Sequence, residues 1–188
     1  MVWVTGPFAI TAGVLLVGGV LKLRDTRPAR AALAELGAPA PGVVARLSGP
    51  IEVVLAALAL LKGGWLSAVP VAAAYLTFVA IVTVQLHHED TGSCGCFGRL
   101  SARPSAVHLV TNAALALVAV IAVAADPPAL ATLVGTADPL LDGVVLVGLV
   151  ALATALVVAV LTVLPATNEA ARPATDPAVR LFEIGAPR

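Results

Sequence analysis

Cys94-Gly95-Cys96 holds both cysteines of the chain. Two thiols one residue apart can close a disulfide only in a turned, non-helical backbone that brings their β-carbons to about 3.8 Å. Gly95 supplies that backbone freedom. The ring would be small and strained, and strained, accessible disulfides are the labile, more oxidising ones. Reversible thiol–disulfide exchange is therefore the leading chemistry. Two other readings stay open. Cys94, Cys96 and His108, with His87 or His88, offer tetrahedral metal ligands, although their spacing fits no standard zinc pattern. The thiols could also be two small apolar groups packed in a loop. A framework of structural disulfides is excluded by the number of cysteines.

The elements that must position this pair are set by composition. Of 188 residues, 60% are hydrophobic and 12% charged, against about a quarter charged in an average soluble domain. Mean hydropathy is +1.02. Such a chain cannot cover a water-exposed surface, so a soluble enzyme and a wholly disordered chain are both excluded. Lys and Arg number 11, as do Asp and Glu, which leaves no positive excess for nucleic acid. An integral protein of the lipid bilayer remains. The apolar runs are continuous and of helical length, without the alternation of barrel strands.

Five spans are expected, at residues 2–21, 47–61, 65–86, 106–125 and 140–164. An amphipathic connector at 28–36 and a Gly/Pro break at 37–42 separate the first two. A loop covers 126–139, and 165–188, with its prolines and mixed charges, reads as a disordered tail. The fold class is thus all-α integral membrane: a four-helix antiparallel bundle plus a fifth transmembrane helix.

Alternating spans bring the end of the first, the start of the second, the end of the third and the start of the fourth to one membrane face. Lys22, Glu52, Gln85, His87, His88, Cys94, Cys96, His108 and Asn112 all converge there. A carboxylate at the edge of the apolar zone needs a partner, and Lys22 is the nearest base at the level of Glu52. Proton exchange coupled to thiol chemistry is its functional alternative. His108 reads as a helix-start hydrogen bonder that would favour a nearby thiolate if protonated. His87 and His88 could equally form a solvated helix end. Asn112 is expected to bond across helices. Ten of the eleven Lys and Arg residues fall on the cysteine-bearing side and only Lys62 on the other. The positive-inside rule therefore puts the N-terminus outside, the tail inside and the cysteine loop on the cytoplasmic side.

Several of these pieces occur together in a known order. Gly18-Gly19-Val20-Leu21-Lys22-Leu23-Arg24-Asp25 closes the first span, and Gly49-Pro50-Ile51-Glu52 opens the second. Cys94-Gly95-Cys96-Phe97-Gly98 follows the third, and His108 with Asn112 begins the fourth. Over about residues 1–125 this order resembles the MauE family, methylamine-utilisation membrane proteins related to DoxX-like four-helix proteins. Residues 126–164, the extra loop and fifth span, and the tail lie outside that core. The resemblance implies a multi-pass protein of the bacterial cytoplasmic membrane that handles disulfides. Its implied partners are a thioredoxin-like redox protein and a cysteine-rich exported client, of the methylamine dehydrogenase small-subunit kind. Cys94 and Cys96 become the redox pair, and Lys22, Glu52 and Asn112 family positions. A partner outside the cytoplasm asks for access from that side, against the charge rule. No cofactor is specified by the sequence; a quinone is one candidate electron exchanger, with no sequence feature to mark its site. A non-catalytic membrane chaperone of a thioredoxin-like protein and a metal or small-solute transporter are the alternatives.

Overall fold

The structure, a computed structural model, describes residues 2–87, 94–100, 103–136 and 142–170. A 3₁₀ turn (Val2–Val4) leads into α1 (Thr5–Arg24), followed by α2 (Arg27–Glu35), α3 (Pro41–Lys62), α4 (Gly64–His87), α5 (Ala106–Ala125), α6 (Leu130–Thr136) and α7 (Asp142–Ala170). No strand occurs among the described residues beyond an isolated bridge between Gly63 and Pro128. Five of the helices are long and apolar enough to cross a bilayer, and the chain is a multi-pass, all-α membrane protein.

The boundaries follow local chemistry. Lys22 and Arg24 end α1, where cations meet the carbonyl end of the helix dipole. The second span begins at Pro41, six residues before the 47 expected from hydropathy. Ala40 is left-handed and Pro41 occupies the first turn, where its missing N–H costs nothing. Pro50 then sits inside α3 without ending it, because one lost backbone bond is tolerated when neighbouring helices hold the segment. The loop expected at 126–139 contains α6. Residues 165–170, read as the start of a disordered tail, continue α7 through Pro165. Residues 171–188 of that tail lie outside the described residues.

α1 is the hub of the bundle: it packs along α3, against α7, and more lightly on α5. α4 packs along α5, whereas α3 and α4 touch much less. The buried faces are small: Ala12, Ala56, Ala68, Ala119 and Ala122 are all fully or almost fully enclosed. In lipid there is no apolar driving force between helices, so close backbone approach is what holds them. The outward faces carry Leu61, Leu66 and Val110, each more than half exposed, as lipid contact requires. At the face opposite the cysteines, Gly64 N–H donates to the Pro127 carbonyl (2.8 Å) and Trp65 N–H to Asp126 Oδ1 (2.7 Å), tying the α3–α4 turn to the chain after α5. A cavity of about 720 Å³ lies between α1 and α7 and is lined by no titratable side chain.

The orientation set by the charge count has a direct readout. With Cys94 and Cys96 replaced by serine, a reporter cysteine at Lys62 or Thr136 is expected to react with a membrane-impermeant maleimide from outside intact cells. One at Arg30 is expected to stay unlabelled until the membrane is opened. Labelling of Arg30 from outside would reverse the topology.

Candidate functional site

Two glycines bring α1 and α3 into backbone contact. A β-carbon at Gly19 would lie 2.9 Å from the Gly49 carbonyl oxygen, and one at Gly49 would lie 3.1 Å from that of Gly19. Lys22 and Glu52 each follow their glycine by three residues, on the same helix face. The crossing therefore sets them opposite each other, with Lys22 Nζ 2.5 Å from Glu52 Oε1 and both side chains almost fully buried. Phe78 of α4 places its ring 4.9 Å below the ammonium, a contact that favours a cation. Tyr75, one turn earlier, meets Phe78 edge to face at 5.7 Å and donates its hydroxyl hydrogen to the Thr11 carbonyl (2.8 Å). Glu52 Oε2 is buried and has no hydrogen-bond partner.

The cysteine loop is wedged against the same helices. Gly95 has φ +71°, a left-handed conformation, and a β-carbon there would strike Ala29 Cα at 2.9 Å. Only glycine fits this turn on the surface of α2. Phe97 is buried, and the Cys96 carbonyl rests on Gly18 of α1. The two thiols are free. Cys94 is only 3% exposed, while Cys96 is partly open. Cys96 N–H donates to Cys94 Sγ (3.4 Å), and Cys96 Sγ donates to the Cys94 carbonyl (3.6 Å).

These contacts separate the two thiols. The Cys96 thiol, and then the imidazole of His108, favour negative charge on Cys94 and hold it well below the usual thiol range in spite of burial. Cys96 is pushed well above that range, because it donates to Cys94 and is buried beside it. His108 is fully buried. Ser105 Oγ lies 2.9 Å from its Nδ1, while Nε2 has no hydrogen bond of regular geometry. With the serine hydroxyl donating to Nδ1, the ring hydrogen is on Nε2, available to the thiolate. Replacing His108 by Ala is expected to raise the pH midpoint of Cys94 alkylation. Each unit of rise leaves about tenfold less thiolate below the midpoint, so alkylation near neutral pH slows, as read by mass spectrometry of the Cys94 peptide. An unchanged profile would remove His108 from the site.

The other expected site residues divide. Asn112 lines a small cavity with Glu52, Tyr75 and Cys96. Its amide donates to the His108 carbonyl of its own helix (2.9 Å), so the described bond is not the interhelical one expected: the carbonyl one turn back lies within reach of a buried amide. Gln85 is buried on α4. His87 is exposed, with Nδ1 2.7 Å from the Thr83 carbonyl; it caps its own helix and lines neither of the two described cavities that Cys96 lines. His88 lies outside the described residues. Among the described residues no three His, Cys, Asp or Glu side chains gather in a metal-sized cluster. Phe78 and Tyr75 were not anticipated. Their spacing of seven and ten residues before Gln85 places them on its helix face, and that periodicity would have found them.

Comparison with known proteins adds one match. The model of a family described as "Methylamine utilisation protein MauE" matches residues 2–125, the stretch that holds α1 to α5 and every residue of the site. Neither the curated proteins nor the solved structures return a match. The family match covers well over half of the chain, and the chain belongs to the MauE family.

Proposed function

We propose that Cys94 and Cys96 form a membrane thiol–disulfide exchange centre that supports maturation of exported cysteine-containing proteins. Family membership fits a methylamine-utilisation membrane protein; a thioredoxin-like partner and a methylamine dehydrogenase small-subunit-like client are the finer assignment made here. The observation that carries the reading is the asymmetry of the pair. One thiol is enclosed beside His108 and accepts a backbone N–H, and the other is partly open.

That asymmetry assigns roles. A partner thiolate attacks Cys96, the less enclosed sulfur of a Cys94–Cys96 disulfide, and Cys94 leaves as the thiolate its surroundings favour, since a lower leaving-group pKa speeds exchange. The S–S bond within the chain breaks as one forms between Cys96 and the partner. The partner's second thiolate then displaces Cys96, which leaves the partner oxidised and the chain as a dithiol. The Lys22–Glu52 pair and the glycine crossing support the loop from below.

The test is a trapping experiment. Cys94→Ser is expected to hold the partner as a reducible mixed disulfide on Cys96, visible as a band of higher mass on a non-reducing gel. Cys96→Ser should trap far less through the enclosed Cys94. If neither variant traps a protein and the double serine variant supports full client maturation, the exchange reading fails and the non-catalytic chaperone takes its place.

A further inference from the structure

The weak contact between α3 and α4 leaves an opening in the bundle that leads to the thiols. On its lipid side lies a cleft of about 330 Å³, bounded by Leu47 and Ile51 on α3 and by Ala74 and Thr77 on α4. Leu47 and Ile51 are more than half exposed at its rim. Inward lies a second cavity of about 150 Å³, lined by Cys94, Gly95 and Cys96 and roofed by the apolar face of α2. Val44, Ser48, Glu52, Thr77 and Phe78 line both spaces, so the two adjoin along one path. The path starts among acyl chains and ends at the dithiol.

We infer that this cleft seats a lipid-borne quinone, which takes up the electrons of Cys94 and Cys96. The inference rests on the thiol-exchange reading and names its terminal oxidant. Three observations carry it. The mouth faces lipid, which selects a molecule dissolved in the bilayer. The inner cavity has the volume that holds one six-membered ring, with a wider apolar space behind it for a tail. Its lining sets the two cysteines beside the Lys22 side chain, so a ring that enters meets the sulfurs it would oxidise and a cation for a quinone carbonyl. An acyl chain would fill the same space but could take no electrons from the dithiol that ends the path.

The step balances. The Cys96 S–H bond breaks and its sulfur joins the Cys94 thiolate in one S–S bond, so the pair gives up two electrons and one proton, and water returns the second proton, the one Cys94 released on ionising. The quinone takes both electrons, and its two carbonyl oxygens each gain a proton to give the hydroquinone. The hydroquinone leaves through the same mouth, and the disulfide is ready for the next partner thiolate.

The test uses the full chain, reduced and freed of reductant, in phosphatidylcholine nanodiscs under nitrogen. The probe is a benzoquinone carrying a ten-carbon tail. Loss of thiols is followed by maleimide gel shift, and quinone reduction by ultraviolet absorbance. A soluble disulfide, oxidised glutathione, is the parallel oxidant. The expected result is one quinone reduced for every two thiols lost. Ala74→Phe, which narrows the cleft, is expected to lower the ratio of the quinone rate to the glutathione rate at least tenfold. Ile51→Trp, at the exposed rim, narrows the same mouth from outside the core and is expected to lower that ratio in the same direction. Oxidation by glutathione with no reaction with quinone would overturn the inference and leave the exchange reading standing. Quinone reduction with the ratio unmoved in both variants would overturn the cleft as its seat. A chain inert to both oxidants would sink the exchange reading, and the inference with it.

Discussion

Cys94→Ser and Cys96→Ser are each expected to abolish client maturation, to the level seen when the chain is deleted, while the protein stays inserted in the membrane at normal abundance. The expectation is all-or-none because the exchange needs two sulfurs: one to form the mixed disulfide and one to resolve it. A serine hydroxyl is close in size to a thiol, so the loop on α2 keeps its packing, and Gly95 keeps the left-handed turn that seats it. Membrane abundance separates lost chemistry from lost folding. Maturation is read from the disulfide state and activity of the client. A serine variant that retains even half of wild-type maturation would mean that the pair does not cycle, and the loop would then be a binding surface.

Lys22→Met is expected to cost roughly 3–5 kcal/mol, the usual penalty for leaving one member of a buried ion pair without its partner. Lys22 and Glu52 are each 4% exposed, so water cannot replace the lost contact. Glu52→Gln in the same chain removes the stranded charge and should restore part of the loss. The double variant should therefore be more stable than Lys22→Met alone, measured as chemical unfolding in detergent. Additive losses in the two single variants would mean that the pair is not coupled. The contact of the Lys22 ammonium with the Phe78 ring adds to the cost of Lys22→Met but plays no part in the rescue by Glu52→Gln.

Much of this arrangement could be read from the sequence because lipid simplifies the problem. A helix must supply about 20 apolar residues to cross, so run length alone located α1, α4 and α5 closely. Alternation of the spans then put Lys22, Glu52, the cysteines and His108 on one face. The Lys22–Glu52 contact was legible because two ionisable residues at the same depth have few other choices. The early start of α3 was not, since residues 41–46 carry Arg46 and two glycine or proline positions that hydropathy discounts. The helical stretch past Pro165 was hidden because the prolines and mixed charges of 165–188 read as a disordered tail. The direction of the Asn112 amide, the ring of Phe78 under Lys22, and the narrow gap between α3 and α4 depend on helix rotation, and bundle packing decides that.

The redox state of the two cysteines in living cells tests the central claim most directly. Cells are quenched with acid, free thiols are capped with a high-mass maleimide, and the chain is resolved by gel before and after reduction. Cycling predicts two populations of the wild-type chain, one uncapped until reduced and one carrying two caps, with their ratio moving when the client is overproduced. A chain that carries two caps under every condition, with no disulfide population even in the oxidised membrane fraction, would contradict thiol–disulfide exchange.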